Sequence, residues 1–161
     1  MAFASRTGPK RNLEALRTAG WGLLVSATGC HRTEGFPYCL DNGAWTAYQK
    51  NLPWQEEPFI KLVSNLGAEA IFVTAPDIVA GGADSLALSI RWLPWLLERC
   101  KVVLIPVQDG MTGDQVSPLI GPRVGVFLGG STQWKLRTMF AWGTLARERE
   151  RLITMSAALI Q

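Results

Sequence analysis

Short apolar runs, each stopped by a polar or glycine-rich step, most constrain how this chain can fold. They occupy 37–40, 71–75, 102–107 and 124–128. The steps after them are Asp41-Asn42-Gly43, Pro76-Asp77, Gln108-Asp109-Gly110 and Gly129-Gly130-Ser131. A short, nearly continuous apolar run reads as a strand covered on both faces, the pattern of a parallel sheet. Parallel α/β sheets build their sites at the carboxyl ends of the strands. Asp41, Asp77, Gln108, Gly129 and Gly130 are therefore expected on one rim, although they lie far apart in sequence.

The segments between these runs read as helices. Residues 10–19 look helical and stop at Gly20; 21–27 is a further strand. Residues 53–66 carry Phe59, Ile60, Val63 and Leu66 at helical spacing, and Gly67 ends them. Asp84 or Ser85 suits the cap of a helix whose Leu86, Ile90, Leu93 and Leu97 line one face. Pro94 falls inside that helix and should kink or divide it. Ser131 or Thr132 suits the cap of a last helix to about Glu148, with Leu136, Met139, Phe140 and Leu145 inward. Alternating strands and helices specify an α/β fold with right-handed crossovers. An open doubly wound sheet and part of a (β/α)8 TIM-type barrel both fit. Five strands are counted, and a full barrel typically needs ~250 residues, so length alone favours the open sheet.

The 161 residues suffice for a single domain with a real core. The 48% hydrophobic and 18% charged content excludes a disordered chain. A net charge of +3 permits an anionic partner without requiring one. Lys10 and Arg11 near the start, and Lys135, Arg137, Arg147, Arg149 and Arg151 near the end, read as solvated helix faces or as a weak nucleic-acid footprint. Three cysteines and no signal-peptide pattern point to reduced thiols and a cytoplasmic setting. Cys30, His31 and Cys39 match no zinc spacing and have no evident fourth ligand, so no metal is assigned. No apolar stretch approaches the ~20 residues of a membrane helix.

Asp41 and Asp77 are carboxylates at strand ends, suited to acid–base or nucleophilic work or to turns. The amide of Gln108 offers donor and acceptor together, which suits the edge of a planar heterocycle. Gly129-Gly130 lets backbone amides approach a ligand at a helix start. Neither a Walker-type loop nor a Gly-x-Gly-x-x-Gly is present. His31 reads as a loop residue.

Taken together, these steps resemble a known family. Leu40-Asp41-Asn42-Gly43-Ala44-Trp45 resembles the Asp-Ser-Gly-Gly-Phe segment of the tRNA-guanine transglycosylase family (queuine/archaeosine type). Asp77 is similar in place to that family's second base-binding aspartate. Val107-Gln108-Asp109-Gly110 resembles its Val-Gln-Gly-Gly, and Leu128-Gly129-Gly130 its Gly-Gly-Leu. The four occur in the family's order across roughly 35–135. Asn42, Ala44 and Asp109 depart from the pattern, which suggests a divergent branch such as the one that inserts 7-deazapurines into DNA. The resemblance implies a (β/α)8 barrel that exchanges guanine for a 7-deazaguanine in tRNA or DNA, without a cofactor, through a covalent link between an aspartate and sugar C1′. It implies that Asp41 is the acid/base group, that Asp77 and Gln108 bond the base edge, and that backbone at Gly129 or Gly130 meets the base carbonyl.

The family's nucleophilic aspartate and its zinc cluster come later in the barrel, and this sequence has no Asp beyond Asp114. The expectation is thus the first part of a barrel in one domain, 1–161, holding the base pocket without the nucleophile, as a truncated, split or frameshifted product. A homo-oligomer or a completing second chain would cover the open edge. The alternatives are a non-catalytic purine-base or nucleic-acid binding remnant and a degenerate fragment.

Overall fold

The computed structural model describes residues 1–5 and 10–148, and the backbone alone of 153–155. Arg149 and Arg151, part of the expected basic cluster, lie outside the described residues. Two compact units are present: Met1–Val73 with Glu98–Lys101, and Thr74–Leu97 with Val102–Gln161. The fold is α/β. Its strands are parallel and follow one another in chain order, flanked by helices, in keeping with part of a (β/α) barrel. A doubly wound sheet would have reversed its strand order.

The first unit contains β1 (Phe3–Ser5), α1 (Lys10–Thr18), β2 (Gly22–Ser26), β3 (Tyr38–Asp41), α2 (Ala44–Gln49), α3 (Glu56–Leu66) and the start of β4 (Val73–Thr74). Phe3 pairs with Gly22, Leu24 with Cys39 and Leu40 with Val73. Gly22 is needed for that approach: a Cβ there would lie 2.6 Å from the Phe3 ring and 2.8 Å from the Pro37 carbonyl oxygen. At the start of α3, Glu56 and Glu57 complement the helix dipole, and Pro58 forfeits only an N–H that would have had no helical partner. Its Phe59, Leu62 and Val63 are buried, whereas Ile60 faces out. The Tyr38 hydroxyl donates to the Leu66 carbonyl at 2.9 Å and ties the helix end to β3.

In the second unit, α4 (Ala83–Leu97), β5 (Val103–Val107), α5 (Gly113–Val116), β6 (Val124–Leu128), α6 (Thr132–Glu148) and β7 (Ile153–Met155) follow the end of β4. Asp84 and Ser85 fall inside α4 rather than at its cap. The helix continues through Pro94. Pro94 and Ile90 are both exposed, so the carbonyl that loses its partner lies on the solvent side. β5 is buried along its whole length and runs beside β6 in register, from Val103–Val124 to Val107–Leu128.

Pairing between β4 and β5 ends early for a chemical reason. Ala75 N–H donates to the Leu104 carbonyl at 2.9 Å. The next parallel ladder bond would run from residue 106 to the Ala75 carbonyl. Residue 106 is proline and has no N–H.

Strands β2 to β6 correspond to the five read from sequence, with β4 trimmed to two residues and β1 and β7 added. The inward face of α6 differs from the expected one. Leu136 and Phe140 are 57% and 79% exposed, while Met139 and Leu145 are partly buried. Trp134, Trp142 and Ala146 enter the core beside Ile105, Val126 and Leu128. The two indoles lie 6.1 Å apart between ring centroids. A tryptophan buries more apolar area than a leucine, so the 134/142 spacing sets the rotation of the helix. Trp142→Ala is accordingly expected to cost about 3–5 kcal/mol in urea unfolding, and Phe140→Ser less than about 0.5 kcal/mol. Equal losses would mean that the helix is rotated the other way.

Candidate functional site at the strand ends

Asp41 is the last residue of β3, in the first unit. Its Oδ2 accepts the Gly43 N–H at 3.0 Å, and Asn42 Oδ1 accepts the Ala44 N–H at 2.7 Å. Two overlapping Asx turns thus carry the chain from the strand into α2. Gly43 makes this sharp entry at φ +80°, a left-handed conformation open to glycine. Trp54 Nε1 donates to the Asn42 carbonyl at 2.8 Å and holds the turn from the side of α3. Burial pushes the Asp41 carboxyl above its ordinary value, only partly opposed by hydrogen bonds from the Ser26 hydroxyl and the Gly43 amide. A carboxyl so placed holds a proton more readily than a solvated one. On α2, Trp45 and Tyr48 stack at 5.7 Å with more than half of each exposed.

The remaining expected residues are in the second unit. Asp77 is half-buried in the loop after β4. Gln108 follows β5 directly and is 3% exposed. Gly129 and Gly130 follow β6 directly. These three strand ends are joined by hydrogen bonds. Gln108 Nε2 donates to the Ile78 carbonyl at 2.9 Å and to Ser85 Oγ at 2.6 Å. Ser85 Oγ also accepts the Ile78 N–H at 3.1 Å, and Ser89 Oγ donates to the Pro76 carbonyl at 2.8 Å. The loop that carries Asp77 is therefore fastened to α4 and to the end of β5.

The Gly129 N–H donates to the Val107 carbonyl at 2.9 Å and continues the ladder by one residue. Gly130 turns the chain at φ +75°. A Cβ on it would lie 2.6 Å from Asp109 Oδ2 and 3.0 Å from the Trp134 ring. Asp109 Oδ2 accepts the Ser131 N–H and its Oδ1 accepts the Ser131 hydroxyl, both at 2.7 Å. Ser131 Oγ in turn accepts the Trp134 N–H at 3.3 Å and caps α6. Burial works against the Asp109 charge. It is outweighed by the Ser131 amide and hydroxyl, the residue's own amide and the nearby Arg137, so the carboxyl lies below its ordinary range. Lys135 is 2% exposed, and burial lowers its ammonium pKa, partly offset by the charge of Asp109.

Among the described residues, no group of three or more His, Cys, Asp and Glu side chains could hold a metal. His31 Nε2 lies 3.1 Å from the Ala27 carbonyl oxygen. The Cys39 thiol is buried and pushed up to about 12, chiefly by burial and against a backbone hydrogen bond with Phe72. Ser85, Asp109 and Ser131 were not singled out as site residues from the sequence. A serine one residue before the apolar stripe of α4 begins carries no periodic signal. Asp109 stood out only as a departure from the family's glycine.

Chemically, the second-unit strand ends offer a carboxylate, an amide oxygen and the Gly130 N–H. Gly130→Ala should lose about 1–3 kcal/mol of stability, because it combines left-handed backbone with a clash. The two aspartates should give pH profiles of opposite sign. Asp41, raised when folded, favours the folded state at low pH, and that advantage is lost as pH climbs from the ordinary 3.8 through the raised value. Asp109, lowered when folded, stabilises above 3.8, and that contribution is lost as pH falls through its folded value. In thermal unfolding between pH 2.5 and 7, Asp41→Asn should flatten the limb above pH 4, and Asp109→Asn the limb below it. A common effect on both limbs would refute the assignment.

No protein-family model, curated protein or solved structure matches this chain, so a reading of its function rests on the placement of these residues.

Proposed function

We propose that this chain is a tRNA-guanine transglycosylase-like protein of guanine-to-7-deazaguanine exchange in tRNA or DNA, supplying the base pocket. The observation that carries the reading is the linkage of the Asp77 loop, Gln108 and the Gly129-Gly130 turn at three successive strand ends. Asp77 would bond donors on the base edge. Gln108 would meet the same edge, and Gly130 N–H would meet the base carbonyl. Gly129 is the weaker candidate of the glycine pair, because its N–H is already bonded to Val107. In the first unit, Asp41 is assigned the acid/base role by the resemblance, and burial raises its carboxyl above the ordinary value, the direction a general acid needs.

A covalent mechanism also needs a nucleophile against C1′. A second reading is a purine-base or nucleic-acid binding module without turnover, which needs no such group. The cytoplasmic setting is proposed from three cysteines that are not paired in disulfides among the described residues.

Calorimetry with 7-deazaguanine, alongside labelled guanine exchange into tRNA and duplex DNA, tests both readings. Binding without exchange is expected, with Asp77→Ala weakening the affinity about tenfold or more, because the base donors lose a charged acceptor. Exchange by the purified chain would show that it needs no further nucleophile. Affinity unchanged by Asp77→Ala would remove the base-pocket reading.

A further inference from the structure

The hydrogen bonds around Gln108 say more about the ligand than its position does. A primary amide has two N–H donors on nitrogen and an acceptor oxygen. At Gln108 both donors are used inside the protein, one on the Ile78 carbonyl at 2.9 Å and one on Ser85 Oγ at 2.6 Å. The carbonyl partner fixes which end of the amide is nitrogen, since oxygen facing oxygen would repel. Ser85 is fully buried and so lacks competing water. Its Oγ also receives the Ile78 N–H at 3.1 Å, so the same hydroxyl fixes both the loop and the amide. Pulling the nitrogen away would leave the Ile78 carbonyl and the hydroxyl without a donor, which is costly in a buried place.

We propose that Ser85 is a positioning residue that locks the Gln108 amide with its nitrogen inward, so that Gln108 reads a ligand only through Oε1 and selects an N–H or amino donor at that point. The inference rests on the base-pocket reading for the identity of the ligand, but the lock itself does not. With both donors held inside, Gln108 does not donate to a ligand carbonyl, and any carbonyl must be met by another group, such as the Gly130 N–H.

The test is NMR of the full chain, labelled at glutamine side chains, with 7-deazaguanine as the probe. In the free protein, both Gln108 side-chain N–H resonances should exchange with water far more slowly than those of exposed glutamines. Ser85→Ala should abolish that protection, and Ser85→Thr, which keeps the hydroxyl, should restore it. On adding 7-deazaguanine, the Gln108 Cδ resonance should move while the two N–H resonances hold their shifts. Ser85→Ala should weaken binding about tenfold, the size of one well-placed hydrogen bond to a ligand. Fast exchange in the unliganded chain would overturn the lock. Movement of the N–H resonances with a still Cδ would make Gln108 a donor and overturn the selection. If 7-deazaguanine does not bind at all, the base-pocket reading and the selection fall together, while slow exchange would still establish the lock. Should Ser85→Ala fail to fold, the exchange and shift data on the native chain decide alone.

Discussion

Proline at 106 sets the layout of the second unit's rim. It removes the N–H that would have carried the β4–β5 ladder past the Ala75–Leu104 bond, so the two strand ends can part. Separated strand ends would leave polar backbone without partners, and the Gln108 side chain takes over that work from the main chain. Replacing a ladder bond with a side chain has a geometric effect. A side chain reaches further than a main-chain N–H, and Gln108 Nε2 fastens Ile78, three residues past Ala75.

The first unit solves the same problem differently. There the chain leaves its strand through consecutive Asx turns at Asp41 and Asn42, with Trp54 holding the turn by its indole N–H. The two strand-end carboxylates that the structure describes most fully, Asp41 and Asp109, are thus tuned in opposite directions by similar partners. Each accepts backbone and hydroxyl hydrogen bonds. At Asp41 desolvation outweighs them, and at exposed Asp109 they outweigh desolvation. One is disposed to keep a proton and the other to keep a charge.

The strands and their end points were legible because burial on both faces writes itself as consecutive apolar residues, and a turn writes itself as glycine, asparagine or aspartate. The helices were legible in extent but not always in orientation. On α6 the stripe 136/139/140/145 and the stripe 134/142/146 both fit a helical period, and only the area of two indoles decides between them. The partners of the rim residues were not legible. Gln108 meets Ser85 across 23 positions, and Asp109 meets Ser131 across 22. Contacts at that separation leave no periodic trace, and the polar residues that make them look like solvent-facing ones until the chain is folded. β4 falls short of its apolar run at both ends, and the proline on the neighbouring strand accounts only for the loss at Ala75.

The carboxylate of Asp109 has one more consequence. A helix of the length of α6 ordinarily presents its first amides as a seat for phosphate. Here Asp109 takes the Ser131 amide just ahead of the helix, and Ser131 Oγ takes the Trp134 amide of its first turn. A polynucleotide approaching this turn would meet the Asp109 carboxylate beside the Arg137 guanidinium rather than a bare row of helix amides. The charge at the start of the helix is thus answered from within the chain, and a phosphate gains less there than at an uncapped helix start.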